Sequence, residues 1–521
     1  MLRACSLLFV FAAAAIAQPD TTWVRRYDGP GHGWDEPSVM RLIGDRVYVA
    51  GQSRGDGSGY DYATVVYDLD GDDLWSARYN GTGNDRDEIT DLVVDSDGNV
   101  IVTGYSEAPG GNSNWVTIKY DQNGDTLWLG RHNSGAGAAG VAVDDSGNVY
   151  VTGGAGSYPY VRLNTIRYGP DGTQHWLAEY YPPAPNRVNT PRAIAIDPNG
   201  CPIVAGGGTR DSTGHDILII KYNPVTGESL WVARYTSSGD EGDAAGAMVL
   251  DASGNIYVTG YFHGGTTDRD IITMKYSPDG ALLWLDTYDG PNNGSDAGVD
   301  IELGEDGNIY VAGNVNRGSS NDDMAVIKYN PAGETLWVRL YNYPTNRTHR
   351  AYALALDGEN NVYVCGYLWT GTSYDYLTVK YDTDGTELWY VRYNTYEGQE
   401  DEAYDIALDD AGFVYVTGRA KDSLNNFDYA TIKYSQFSGI AAEPKVEVRR
   451  TNCPTIVRGV LFLDGGCPHT GAVPEAALLD ISGRKVLDLK PGANDVRHLA
   501  PGVYFVTQQN IGCSKKIVVR E

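Results

Sequence analysis

One carboxylate recurs at almost the same place along the chain: Asp35, Asp87, Asp243, Asp296 and Asp401. Ala136, Asn189 and His349 complete a set of eight at this position. Oxygen ligands repeated around a ring would suit a hard cation, Ca²⁺ above all, because it accepts many oxygens in loose geometry. The competing reading is that each Asp accepts hydrogen bonds from the amides of its own loop. A second set, Asp61, Asp216, Asp270, Asp323, Asp375 and Asp428, also holds one register. Recurrence in so many units argues for a repeated structural bond rather than one active site. The Asp68-x-Asp70 and Asp382-x-Asp384 segments lack the remaining ligands of an EF-hand, and turn chemistry accounts for them.

Aromatic residues offer a different chemistry. Trp34 and Trp369 stand outside the main tryptophan pattern, with Tyr60, Phe262 and Tyr374 in comparable segments. An exposed aromatic platform can stack on sugar rings or dock a protein; packing of the loops competes with that role. Other matches carry little. Gly51-Gln-Ser-Arg-Gly55 fits G-x-S-x-G, but no helix follows it to make a nucleophile elbow. Arg54-Gly55-Asp56 is an isolated RGD. The histidines are scattered, no Cys/His spacing suits zinc, and no glycine loop suits phosphate.

The elements that must position these residues are set by tryptophan. Trp23, Trp75, Trp128, Trp176, Trp231, Trp284, Trp337 and Trp389 recur at intervals of 48 to 55 residues. Within one interval, Ile89–Asp95, Val100–Tyr105, Trp115–Tyr120 and Leu127–Arg131 each form a short run bounded by Gly, Asp or Asn, so each is predicted as a strand. Four strands per repeat, A to D from the inside outwards, make one blade of a β-propeller. The second strand ends at eight glycines, from Gly51 to Gly418, and the third at eight tyrosines, from Tyr67 to Tyr434. The D strand at Trp23 precedes any A strand, whereas the last unit, Ile406 to Tyr434, lacks a D strand. The two remnants complete each other. The expectation is an all-β, eight-bladed ring closed by its N-terminal strand, with no open sheet edge.

Strand parity places the short Asp/Asn-Gly hairpins (A–B and C–D) on one face and the longer, variable B–C and D–A loops on the other. Variable loops on a rigid scaffold commonly carry binding. Trp34, Tyr60, Trp369 and Tyr374 fall on that loop face, and the recurrent Asp set is expected around the channel mouth there.

The phrases LWxxRY, DxxGNVYVTG and DYxTxKYDxDG, clearest at Tyr374–Arg392 and Asp251–Gly260, resemble the bacterial SBBP-type β-propeller repeat over residues 23 to 434. That resemblance implies a fold and little about function. Asn223-Pro-Val-Thr-Gly-Glu-Ser-Leu-Trp231 resembles a tryptophan docking motif of quinoprotein dehydrogenases, but the adjacent cysteine pair of many such enzymes is absent. Beyond the repeats, Asp480-Ile-Ser-Gly-Arg-Lys-Val486, Leu499-Ala-Pro-Gly-Val-Tyr-Phe-Val506 and Lys515-Lys-Ile-Val-Val519 resemble the C-terminal sorting domain of type IX secretion cargo. The resemblance implies a small β-sandwich that takes the protein across an outer membrane. Cys453, Cys467 and Cys513 depart from the usual pattern, and one pair among them could be bridged in an oxidising compartment.

At the N-terminus, Arg3, the apolar Leu7–Ala15 and Ala15-Ile-Ala17 form a secretory signal pattern. The apolar stretch is too short for a membrane span, and no other segment is long enough. Net charge is −28, yet the segment from Lys445 onward is net positive with 11 Lys/Arg against 7 Asp/Glu. The propeller therefore carries the whole acidic excess, which argues against nucleic acid or an anionic membrane as its partner.

Four segments are expected: a signal peptide (1–17), the propeller (18–436), a linker (437–447) and the sorting-type domain (448–521). The function expected is an exported, non-catalytic module, secreted or at the cell surface, that binds glycan or protein through its loop face. No catalytic residue is assigned, and Ca²⁺ is the one cofactor considered. The alternative is an extracellular propeller enzyme: a polysaccharide lyase, a glycosidase or a quinoprotein-like dehydrogenase. An enzyme should gather unlike groups in one sector of the channel, whereas the polar positions found in the sequence recur around the ring.

Overall fold

The computed structural model describes residues 18–157, 160–181, 188–209, 214–237, 242–264, 268–318, 321–343, 347–396 and 398–436, together with isolated strands beyond 454. The expected signal peptide and linker, and Cys453, Cys467 and Cys513, lie outside the described residues. Two compact units are present, Met1–Ala441 and Ala442–Glu521.

The first unit holds eight four-stranded antiparallel sheets, and the described residues contain no helix. Seven sheets run in chain order. The eighth is built from Asp401–Leu408, Val414–Lys421, Phe427–Ser435 and, from the far end of the chain, Asp20–Tyr27. The N-terminal strand pairs antiparallel with Phe427–Ser435, setting Val24 opposite Ile432 and Tyr27 opposite Tyr429. The closure expected from the unmatched first and last strands is therefore present. In the second unit, Thr455–Val457, Lys515–Val519, Gly502–Gln508, Ala476–Leu479 and Lys485–Leu489 form a five-stranded sheet, with Val460–Leu463 and Gly492–Asp495 as a separate pair.

The phrase LWxxRY is explained by contacts between blades. Seven of the eight tryptophans, all but Trp389, lie on the bare α-carbon of the next blade's C–D turn glycine. At Gly71 (φ +82°), a Cβ would approach the Trp23 indole to 2.9 Å. The indole N–H then donates to a carbonyl of the same turn, as in Trp23 to Leu69 O (3.0 Å), Trp231 to Pro278 O (3.1 Å) and Trp337 to Thr383 O (3.0 Å). The arginine of the phrase reaches back to the preceding blade, as from Arg131 Nη2 to Tyr79 OH (2.8 Å). It also pairs with the Asp near the start of its own C strand: Arg78 with Asp61 (2.9 Å), Arg234 with Asp216 (3.2 Å) and Arg26 with Asp428 (2.9 Å). Four of the second Asp set, Asp61, Asp216, Asp375 and Asp428, thus make a repeated structural ion pair, whereas Asp323 pairs with Arg317.

The seam departs from this scheme. Lys433 Nζ donates to Leu69 O and Lys328 Nζ to Thr383 O, both carbonyls of the next blade's C–D turn. Lys380 faces the last blade, where the chain leaves the ring after its C strand. There the side-chain oxygen of Gln436 accepts from both Lys380 Nζ and Tyr363 OH, each at 2.7 Å.

Every A strand carries a bulge opposite the B-strand glycine, as between Ile89 and Asp91. The bulge brings A-strand backbone so close that a Cβ on Gly104 would collide with the carbonyl of Glu88. That collision explains the invariant glycine of the VTG phrase better than turn chemistry does.

Candidate functional site

The recurrent carboxylates Asp35, Asp87, Asp243, Asp296 and Asp401 are all essentially buried. Each closes its own D–A loop. Asp35 accepts from Gly29 N (2.7 Å) and Arg54 N (2.8 Å), and Asp296 from Gly290 N (2.6 Å) and Asn316 N (2.8 Å). Asp243 accepts from Ser237 N and His263 N, Asp401 from Thr395 N and Lys421 N, and Asp87 from Gly81 N. They tie the loop and the end of strand B to the start of strand A. Two of them stand close to other acids. Asp28, Asp35 and Asp428 bring carboxylate oxygens within 4.8 Å of one another, as do Asp270, Asp289 and Asp296. Burial, with Asp270 and Asp289 nearby, pushes Asp296 up to about 6. Burial does the same to Asp401 and Asp428.

The next position along each A strand tells a different story. Its residues, from the first blade to the eighth, are Glu36, Glu88, Gly137, Thr190, Ala244, Ala297, Arg350 and Glu402. Charge is confined to blades seven, eight, one and two. The ring is therefore asymmetric, and the expectation that its polar positions recur all round is corrected. Consecutive residues of a strand point to opposite faces, so this register lies one step from the repeated one and faces the other way.

The charged sector is tightly knit. Arg419, opposite Glu402 in the ladder, pairs with Glu402 (2.9 Å) and with Glu36 of the neighbouring blade. Gln52 Nε2 donates to Glu36 (2.8 Å), and Arg86 binds Glu88 (2.6 Å). Arg350 pairs with Asp322 (2.5 Å).

A continuous line of rings crosses the same sector. Trp369 meets Tyr374 (4.8 Å between centroids), Tyr374 meets Tyr367 (4.7 Å), Tyr367 meets Tyr352 (5.9 Å) and Tyr352 meets Tyr404 (5.2 Å). Arg419 lies over Tyr404 (5.9 Å) and over Phe427 (4.3 Å), which meets Trp34 edge-on (5.2 Å). Three aromatic residues singled out in the sequence, Trp34, Trp369 and Tyr374, thus belong to one arc. Tyr60 joins its end through Arg54, whose guanidinium stacks on it at 5.4 Å. Trp369 and Tyr374 are not loop residues as expected. They face each other as the last pair of the B–C hairpin, and Tyr60 likewise faces Arg54. Tyr352 and Trp34 stay 39% and 47% exposed, so the arc keeps two open faces.

Unlike groups gathered in one sector are what an enzyme would show, but with both carboxylates held by Arg419 the sector is suited to holding a ligand. Burial and the neighbouring Glu402 push the Tyr404 phenol well up, so it stays protonated at physiological pH and donates rather than abstracts. The carboxylates of Glu36 and Glu402 are both engaged by Arg419. Fixed polar groups beside open ring faces match a ligand with apolar faces and hydroxyl edges.

Deeper in the channel, sequence reasoning passed over a further group. Asp91, Asp300 and Asp405 share the register just after the bulge and accept amides from the neighbouring blade: Val141 N (2.9 Å), Leu354 N (2.8 Å) and Met40 N (2.8 Å). Arg41 bridges Asp91 (3.1 Å) and Asp405 (3.5 Å). Burial pushes Asp300 up to about 6; burial and Asp300 push Glu302 up to about 7. The signal was present in the phrases TDL, VDI and YDI, which place an Asp at one register in three blades only.

Residues 305–335 match a family model described as a domain of unknown function (DUF5122) beta-propeller, a span that covers the B and C strands of one blade. The chain is 32% identical over 141 residues to regulatory protein FlaEY of Caulobacter vibrioides, covering 24% of this chain and 14% of the relative. It is 22% identical over 459 residues to an uncharacterized WD repeat-containing protein of Acanthamoeba polyphaga mimivirus, covering 70% of this chain and 31% of that one. The chain thus spans less than a third of the length of either relative. Among solved structures, quinohemoprotein alcohol dehydrogenase from Comamonas testosteroni is similar with a TM-score of 0.50 and 12% identity, covering 84% of this chain and 79% of that chain. At that identity the likeness concerns the fold alone: an eight-bladed, all-β propeller.

Proposed function

We propose that the protein is a non-catalytic binding module whose ligand, an uncharged oligosaccharide, seats on the loop face across blades seven, eight and one. The observation that supports this reading is the arc Trp369–Tyr374–Tyr367–Tyr352–Tyr404 ending at Arg419, with Glu36, Glu402 and Gln52 alongside. Pyranose rings stack on the open face of Tyr352 while their hydroxyls meet the fixed carboxylates and guanidinium. Net charge in the sector is close to balanced, since each arginine faces a carboxylate, and this favours a neutral sugar over a uronic acid.

Export belongs to the same proposal: a signal peptide ending at Ala17, then type IX secretion through an SBBP-type cargo with a sorting-type tail. No helix among the described residues is long and apolar enough to cross a membrane. N-terminal sequencing of protein from the medium tests export, with Gln18 as the expected first residue. The full chain on a glycan array tests the ligand, with Tyr352→Ala and Arg419→Ala as controls. Selective binding of neutral glycans, lost in both variants, supports the proposal. Retained binding in both variants, or turnover of a bound glycan, refutes it.

A further inference from the structure

The opposite end of the channel holds a cleft of about 360 Å³ between the inner strands of blades six, seven and eight, where they enter their A–B turns. Leu303, Leu356, Ala407 and Leu408 line it with apolar surface, and Glu302 and Glu305 contribute carboxylates. Its wall is held by one cross-blade bond, in which Glu305 N donates to Asn360 Oδ1 (2.8 Å). Asn360 adopts the left-handed conformation there (φ +61°). Gly304 stands where six other blades place the turn Asp, at Asp95, Asp144, Asp197, Asp251, Asp357 and Asp409. A Cβ at Gly304 would come within 3 Å of the Asp306, Asn360 and Tyr310 side chains, so glycine lets those side chains close over this turn.

We propose that this cleft receives a lysine side chain projecting from a partner peptide. Charge complementarity carries the argument. Glu302 and Glu305 line the cleft, and the nearby cations are already engaged, Arg41 by Asp91 and Asp405 and Lys380 by Asp357 (3.5 Å). Among the described residues no cation lies within ion-pairing distance of Glu302. A lysine lays its methylenes along Leu303, Leu356 and Leu408 and brings its ammonium to Glu302. A bulky ion without an apolar stem leaves those leucines facing water, and an uncharged stem leaves Glu302 uncompensated. Burial, and after it the neighbouring Asp300, push Glu302 upward, and an ammonium beside it would favour the ionised carboxylate. The acidic excess of the propeller would also speed encounter with a basic partner. The site is independent of the loop-face arc, which lies at the other mouth.

The test is titration of the full-length protein with Nα-acetyl-lysine N-methylamide and with the norleucine counterpart, which has the stem but no charge, followed by NMR saturation transfer. The expected result is millimolar binding of the lysine compound, as befits one side chain, and at least tenfold weaker binding of the norleucine compound. Glu302→Gln should weaken lysine binding about tenfold, whereas Tyr352→Ala should leave it unchanged. Glu302 is solvent-accessible, so its amide variant should fold, and its melting temperature checks this. Equal binding of both compounds, no saturable lysine binding, or full binding by a folded Glu302→Gln variant each overturns the proposal.

Discussion

Trp23 is the residue on which closure of the ring can be tested most sharply. It is 8% exposed, packs against Tyr67 and Tyr415, and donates its indole N–H across the seam to Leu69 O. It lies on the only strand that the N-terminus contributes to the last blade. Truncating a buried tryptophan to alanine costs about 3–5 kcal/mol, a figure that already includes its ring contacts. Propeller stability of the usual size, about 5–15 kcal/mol, would then fall by roughly a fifth or more. In a unit of this length each kcal/mol moves the melting temperature by roughly 2 °C, so Trp23→Ala should melt about 6–10 °C lower. The assay is thermal unfolding followed by circular dichroism, with Leu127→Ala as the control, because Leu127 is 53% exposed on an outer strand. If Trp23→Ala melted within about 2 °C of that control, the N-terminal strand would not be closing the ring. Deletion of residues 18–28 should lower the melting temperature further, since the seven-residue ladder is lost as well.

Further consequences follow from particular side chains. Gln436→Ala removes the acceptor shared by Lys380 and Tyr363, and should cost about 1–3 kcal/mol in chemical denaturation. Asp289→Asn should stabilise by about 1 kcal/mol, because the repeat places Asn80 and Asn394 at this position and the substitution removes one of three crowded carboxylates. Stability should peak on the acid side of neutral. Asp296, Asp401 and Asp428 are raised by burial from 3.8 to about 6, so folding favours their protonated form, and their contribution is lost as pH rises through about 6. Asp95 and Asp251 are lowered despite burial, Asp95 by Lys119 and Asn99 and Asp251 by Asn255 and loop amides, so their contribution is lost as pH falls below 3.8. A melting-temperature maximum between about pH 4 and 6 is expected; a monotonic rise to pH 8 would contradict the assignment.

The ring was legible in the sequence because its determinants repeat. Each tryptophan but the last needs a turn glycine one blade on, and each RY arginine needs an Asp in its own blade, so the physics of one interface is written seven times with small variations. Closure was legible for the same reason, since strands counted in phase leave one D strand at the start and one vacancy at the end. The site was harder to find because it depends on differences between blades. Asp35 and Asp401 stood out by recurrence, yet recurrence marks the loop clamps. Glu36, Glu402 and Arg419 occur at the adjacent register with different residues in most other blades, and only the folded ring brings residues 36 and 419 together. Hairpins were also tighter than loop composition suggested, which moved Trp369 and Tyr374 from loops onto paired strand tips.

The most direct measurement is hydrogen–deuterium exchange of the full-length protein with and without the glycan selected by array. Slowed exchange should be confined to segments around residues 34–54, 350–374, 402–404 and 419, with blades three to five unchanged. Protection spread evenly over all eight blades, or confined to blades three to five, would contradict a loop-face site built on the Tyr352–Tyr404–Arg419 arc.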